Sequence, residues 1–274
     1  MLPHTSGPLV TAAGLAGLLF SEWAGSYLGV WVFKPLASLG FLLTASPALA
    51  PSSEAHKHAP SSAASKSGPS HTTPSSNPFS TPAAPSPRAV FNRSIFASLA
   101  LCALGDVLLI PSRHSSLFFQ AGLFAFLLGH VGFGAAFIQR DLEPRTTLLA
   151  GVAQAAFAGI TWRWLAPALP QADRVPVGLY TVVLSAMGAL AIGGAGGWRG
   201  KEGAKRWIQI AGAVLFELSD LCVARQQFVA QTFANPALGL PLYYLATTLL
   251  ATLMDLRYTP CKVSLVLERV LVRV

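Results

Sequence analysis

The stretch GAVLFELSDLC, residues 212–222, has the composition of a membrane-crossing helix, yet it carries two acids, Glu217 and Asp220. Three residues apart, they fall on one helical face. An ionised carboxylate in hydrocarbon costs at least roughly 2.5 kcal/mol even on lenient insertion scales. Acids in such a segment therefore need a partner, a proton or a function.

The rest of the chain has the same character. Of 274 residues, 53% are hydrophobic and only 11% are charged, where soluble domains carry about 25%. Several apolar runs reach the roughly 20 residues that cross a bilayer. They are continuous rather than alternating, which points to helices and not to a barrel. The sequence predicts an all-α, polytopic membrane bundle with about eight transmembrane helices, at about 8–26, 31–50, 92–111, 117–138, 146–166, 175–195, 207–228 and 236–256. In domain terms, 1–50 holds the first two helices and 91–256 the other six. Between them, 51–90 is rich in Ser, Pro, Ala and Thr and has little to bury, so it reads as a disordered loop, and His56, His58 and His71 within it as solvated residues. Residues 257–274 form a tail.

With eight spans both termini lie on one side. That side receives fourteen lysines and arginines against five on the other, so the termini and the long loop are expected in the cytosol. No basic segment precedes the first apolar run, and the first span is read as an uncleaved signal. Asn92, in NRS, then faces the cytosol or the membrane and is not a glycosylation site. The net charge of +8 comes from loop residues beside the spans, and no nucleic-acid partner is expected. Three cysteines, at 102, 222 and 261, make no disulfide scaffold. An endomembrane location, chiefly the endoplasmic reticulum, is expected if the source is eukaryotic.

On this topology the intramembrane ionisable residues converge. Lys34 (VFKPL) lies at the outer end of span two, Asp106 (LCALGDVLLIP) about five residues from the outer end of span three, and Asp220 about eight residues from that of span seven. His130 (FLLGHVGFG) is near the middle of span four. An internal echo accompanies them. ALGDVLLI resembles ELSDLCVA, and counting 24 residues onward from Asp106 reaches His130, as counting 24 from Asp220 reaches Tyr244. A parallel repeat would set the two aspartates face to face. Each residue also has a plainer reading. The aspartates serve as hydrogen-bonded glue between helices, Lys34 as a snorkelling side chain, and His130 as a core histidine among packing glycines. Glu217 is assigned a structural or supporting role. No phosphate loop, HExxH, CxxC or GxSxG pattern is present, so no metal or cofactor is expected and Ser219 has no support as a nucleophile.

Taken in order, VFKPL, LGDVLLIP, GLFAFLLGHVGF, GLYTVVLSAMGAL, GAVLFELSD and LYYLATTLLA resemble the YhhN/TMEM86 family, the lysoplasmalogenases. The resemblance implies an eight-helix membrane hydrolase that cleaves the vinyl-ether bond of lysoplasmalogens. The products are a fatty aldehyde and glycerophospho-ethanolamine or -choline. It maps the family's conserved positions onto Lys34, Gly105 and Asp106, His130, Ser219 and Asp220, and Tyr244. Asp106, Asp220 and His130 are then the expected catalytic residues. Lys34, Tyr244, Ser219 and Gly105 would bind substrate, a lysophospholipid within the bilayer. The chain departs from the pattern at Phe133, where the family often has Tyr, at Thr247 or its neighbour, where it commonly has Gln, near Glu217, where it usually has an apolar residue, and in its 51–90 insertion.

Vinyl-ether hydrolysis needs a proton on the β-carbon and then water on the resulting oxocarbenium ion. Two carboxyls, one protonated and one ionised, suit that sequence. A small proton-coupled carrier could use the same acids, although no paired Gly/Pro breaks mark the two halves. A lipid-binding scaffold without turnover is the third class.

Overall fold

The computed structural model describes residues 6–46, 86–198 and 203–255. Residues 51–85 of the expected 51–90 loop, with its histidines, and the expected tail at 257–274 lie outside them, whereas 87–90, expected as loop, are helical. Eight long helices run through the described residues: α1 (Ser6–Trp23), α2 (Tyr27–Ala45), α3 (Pro87–Leu108), α4 (Ser116–Ile138), α5 (Pro144–Leu165), α6 (Gln171–Gly194), α7 (Lys205–Ala224) and α8 (Ala234–Thr252). Five of them, α2, α3, α4, α6 and α7, are long and apolar enough to cross a membrane. Each remaining helix is the hairpin partner of one of these: α1 of α2, α5 of α6, α8 of α7. The chain is a polytopic helical bundle. Large apolar side chains such as Leu9, Phe20, Leu148, Ile160 and Val175 point outward, as a lipid-facing surface requires.

Local chemistry sets the helix ends. α3 begins at Pro87, ahead of the expected 92, because the Ser86 hydroxyl caps it by accepting from Ala89 N at 3.3 Å and proline suits the first helical position. Glu143 caps α5, accepting from Thr146 N at 2.7 Å. Hydrogen bonds from the Thr146 side chain and amide hold its carboxyl below the usual glutamate range. The turn into α2 uses Gly25 at φ 65°, a left-handed conformation that glycine adopts without penalty.

Small residues let the hairpin arms touch. A Cβ at Gly14 would stand 2.5 Å from Ala37 N (α1–α2), one at Gly129 3.1 Å from Cys102 Sγ (α3–α4), and one at Gly239 2.8 Å from Cys222 Cβ (α7–α8). Without a hydrophobic drive between helices in lipid, such close packing is a main source of association.

The hairpins are arranged with a rough twofold pattern. α2 packs on α3 as α6 packs on α7, and α4 packs on α6 as α8 packs on α2. This is the relation expected of a repeat of four helices. It breaks at two places: α1 and α3 both pack against α8, but their counterparts α5 and α7 have no comparable packing against α4.

Candidate functional site

A cavity of about 580 Å³ opens at the end of the bundle that holds the α1–α2, α3–α4, α5–α6 and α7–α8 turns. Lys34, Asp106, Ser219 and Asp220 line it, from α2, α3 and α7. The convergence expected from the sequence is therefore present as one space. Phe119 and Leu123 of α4 and Phe157, Thr161 and Leu165 of α5 also line it, so the cavity extends between α4 and α5, two helices with little packing along each other.

Asp106 is 2% exposed and both its oxygens are engaged. Lys34 Nζ lies 3.7 Å from Oδ1, while the Ser38 and Tyr243 hydroxyls stand 2.6 and 2.7 Å from Oδ2. Ser38 sits one turn after Lys34 on α2, and Tyr243 reaches across from α8. An ammonium and two hydroxyls are the donors that an ionised carboxylate accepts from. Removing one should be costly. Tyr243→Phe is expected to lower stability by about 1.5–3 kcal/mol, the range for a hydrogen bond to a charged group, seen as a lower midpoint in thermal unfolding.

Asp220 is served differently. The Tyr180 hydroxyl on α6 donates to Oδ2 at 2.7 Å, and His130 Nε2 stands 2.9 Å from that hydroxyl and 3.4 Å from Oδ2. Because the phenol has a single proton and gives it to Asp220, the imidazole Nε2–H is the donor to Tyr180. His130, Tyr180 and Asp220 thus form a directed chain. Among the described residues the other oxygen, Oδ1, has only Ser219 Oγ at 3.5 Å, and that hydroxyl is committed to Phe216 O at 2.8 Å.

The twofold pattern reappears here. Each aspartate accepts from the second helix of its own half (Ser38 on α2, Tyr180 on α6). Each also meets the fourth helix of the other half (Tyr243 on α8, His130 on α4). Phe216 lies between the two sets, its ring 4.7 Å from that of His130 and 5.3 Å from that of Tyr243.

Three of the expected residues stand off the cavity. His130 is fully buried behind Tyr180. The Tyr244 hydroxyl donates to the Lys34 carbonyl at 3.2 Å and so fixes α2 against α8. Gly105 lies under the Phe126 ring, where a Cβ would come within 2.6 Å of two ring carbons. Gly105→Ala should therefore push Phe126 and cost about 1–3 kcal/mol by overpacking, again measurable as a thermal shift. Ser38, Tyr180 and Tyr243 were not singled out from the sequence. A usable signal existed for the tyrosines, since a hydroxyl inside an apolar span needs a partner.

A family model described as the YhhN family matches residues 79–254, more than half of the chain. Lysoplasmalogenase TMEM86A of Homo sapiens is 31% identical over 166 residues, covering 57% of this chain and 63% of its own length. The Bos taurus protein of that name is 32% identical over 166 residues with the same coverage. The chain thus spans somewhat less than two thirds of the length of these curated relatives. No solved structure matches it.

Proposed function

This chain belongs to the YhhN family, and from that premise we propose that it is a hydrolase acting on a single-chain ether phospholipid, cleaving the vinyl-ether bond of a lysoplasmalogen. The observation that carries the reading is the inequality of the two aspartates in one cavity. Asp106, with both oxygens engaged and Lys34 beside it, is the ionised partner. Asp220, with Oδ1 lacking a strong partner among the described residues, is the acid.

In this scheme Asp220 delivers its proton to the β-carbon of the vinyl ether. The C=C electron pair forms the new C–H bond, and the positive charge is shared between the α-carbon and the ether oxygen. The Asp106 carboxylate stabilises that cation across the cavity. Water adds to the α-carbon and returns a proton to Asp220. The hemiacetal then collapses, its hydroxyl losing a proton and the glycerol oxygen gaining one. The sum is one water consumed, with an aldehyde and an alcohol released. Tyr180, oriented by His130, holds the Asp220 carboxyl so that Oδ1 is free to act. Lys34 serves the lipid phosphate as well as Asp106. The gap between α4 and α5 gives the hydrocarbon chain a way in from the bilayer. The distribution of Lys and Arg favours a cytosolic side for both termini, and the membrane is an endomembrane, chiefly the endoplasmic reticulum, if the source is eukaryotic.

The test is aldehyde release by detergent-purified protein from an alkenyl lysophospholipid beside its acyl analogue, with proton flux in proteoliposomes run in parallel. Aldehyde from the alkenyl lipid alone supports the hydrolase. Flux without aldehyde would make the chain a carrier instead.

A further inference from the structure

Glu217 is a buried acid that the proposed reaction does not use. It lies three residues before Asp220 on α7 and is 4% exposed. Gln154 Nε2, from α5, donates to its Oε2 at 3.1 Å. The other two oxygens, Gln154 Oε1 and Glu217 Oε1, are buried without a hydrogen-bond partner among the described residues. The third wall is α6 at Gly188, where a Cβ would collide with Glu217 Oε1 and stand 2.6 Å from Gln154 Nε2. If Glu217 were ionised, two oxygen acceptors would be buried together with no donor for either, a costly arrangement that native structures avoid.

One proton removes the conflict. A proton on Glu217 Oε1 would supply the donor that the buried acceptor Gln154 Oε1 needs, while the amide donates to Oε2 at 3.1 Å, as an acid pairs with an amide. We propose that Glu217 keeps its proton at neutral pH and, paired with Gln154, is an uncharged clasp between α5 and α7 that positions Asp220. α5 and α7 do not pack along each other, and the pair spans them one helical turn beneath Phe157 and Asp220, which line the cavity. The groups facing Glu217 are Gln154 from α5, the Gly188 backbone from α6 and, on its own helix, Asp220, itself bonded to Tyr180. With Glu217 neutral, the charge on that face of α7 is Asp220's to gain or lose. This kinetic consequence rests on the hydrolase reading; the protonation of Glu217 does not.

The experiment compares wild-type protein with Glu217→Gln by infrared difference spectroscopy at neutral pH without substrate, followed by thermal unfolding and aldehyde release across a pH series. A glutamine at 217 can give Gln154 Oε1 the same hydrogen bond through its amide. The expected result is a protonated-carboxyl band in the wild type that is missing from the variant. The midpoint and pH profile should be unchanged and the turnover within about twofold. Glu217→Leu, which leaves the Gln154 amide unmatched, should lower turnover by more than about tenfold. An ionised-carboxylate band that disappears in Glu217→Gln would overturn the proposal, as would a folded Glu217→Gln protein that loses most of its turnover. If neither protein releases aldehyde, the hydrolase reading fails while the infrared result still decides the state of Glu217.

Discussion

Asp220→Asn should fold like the wild type and release fatty aldehyde about 10²–10⁴-fold more slowly, the range for losing a general acid. The side-chain shape is kept, and the asparagine oxygen can still accept from Tyr180, whose hydroxyl lies 2.7 Å from the aspartate. What is lost is the proton that, in the proposed reaction, Asp220 gives to carbon and recovers from water. The defect should appear in kcat with little change in KM, because the proposed reading gives the substrate's phosphate and chain to other residues. A circular-dichroism spectrum and thermal midpoint close to wild type, measured on the same preparation, would separate this loss from unfolding.

Lys34→Met has the largest expected effect on stability. It leaves the Asp106 carboxylate 2% exposed with no other cation beside it among the described residues, and removing one partner of a buried ion pair costs about 3–5 kcal/mol. The Ser38 and Tyr243 hydroxyls remain but bring no charge. Adding Asp106→Asn to Lys34→Met removes the uncompensated anion, so the double variant should recover much of the lost stability and none of the activity. Thermal unfolding of the two single variants and the double variant, arranged as a cycle, gives the coupling directly. If the double variant were as unstable as the sum of its parts, Lys34 and Asp106 would not be a functional pair.

The bundle was legible because each long apolar run must satisfy its own backbone, which leaves the helix as the available form. The convergence of Lys34, Asp106 and Asp220 was legible for a related reason. Alternating direction fixes depth, and depth alone was enough to put three helices' ionisable groups into one space. Which side chains meet at that depth was not legible. Counting 24 residues onward from Asp220 selected Tyr244, but helical rotation turns its neighbour Tyr243 toward Asp106 and sends Tyr244 to the Lys34 backbone. Tyr180 on α6 has no charge to draw attention and no counterpart spacing, since loop lengths differ between the halves. His130 was expected at the site as a catalytic or core residue, and it sits behind Tyr180, because packing of α4 against α6 decides which face of a helix reaches the cavity. Glu217, unusual against the family pattern, finds its partner 63 residues away on α5, a contact that local sequence does not encode.

The most direct measurement is hydrolysis of an alkenyl lysophospholipid in deuterium oxide, with the released aldehyde trapped at once and weighed by mass spectrometry. Protonation of the β-carbon by Asp220, which exchanges its proton with solvent, requires a single deuterium on the carbon next to the new carbonyl. Aldehyde carrying that label, formed by the wild type and suppressed in Asp220→Asn, is the expected result. Unlabelled aldehyde would contradict proton delivery to carbon, and with it the assignment of Asp220 as the acid.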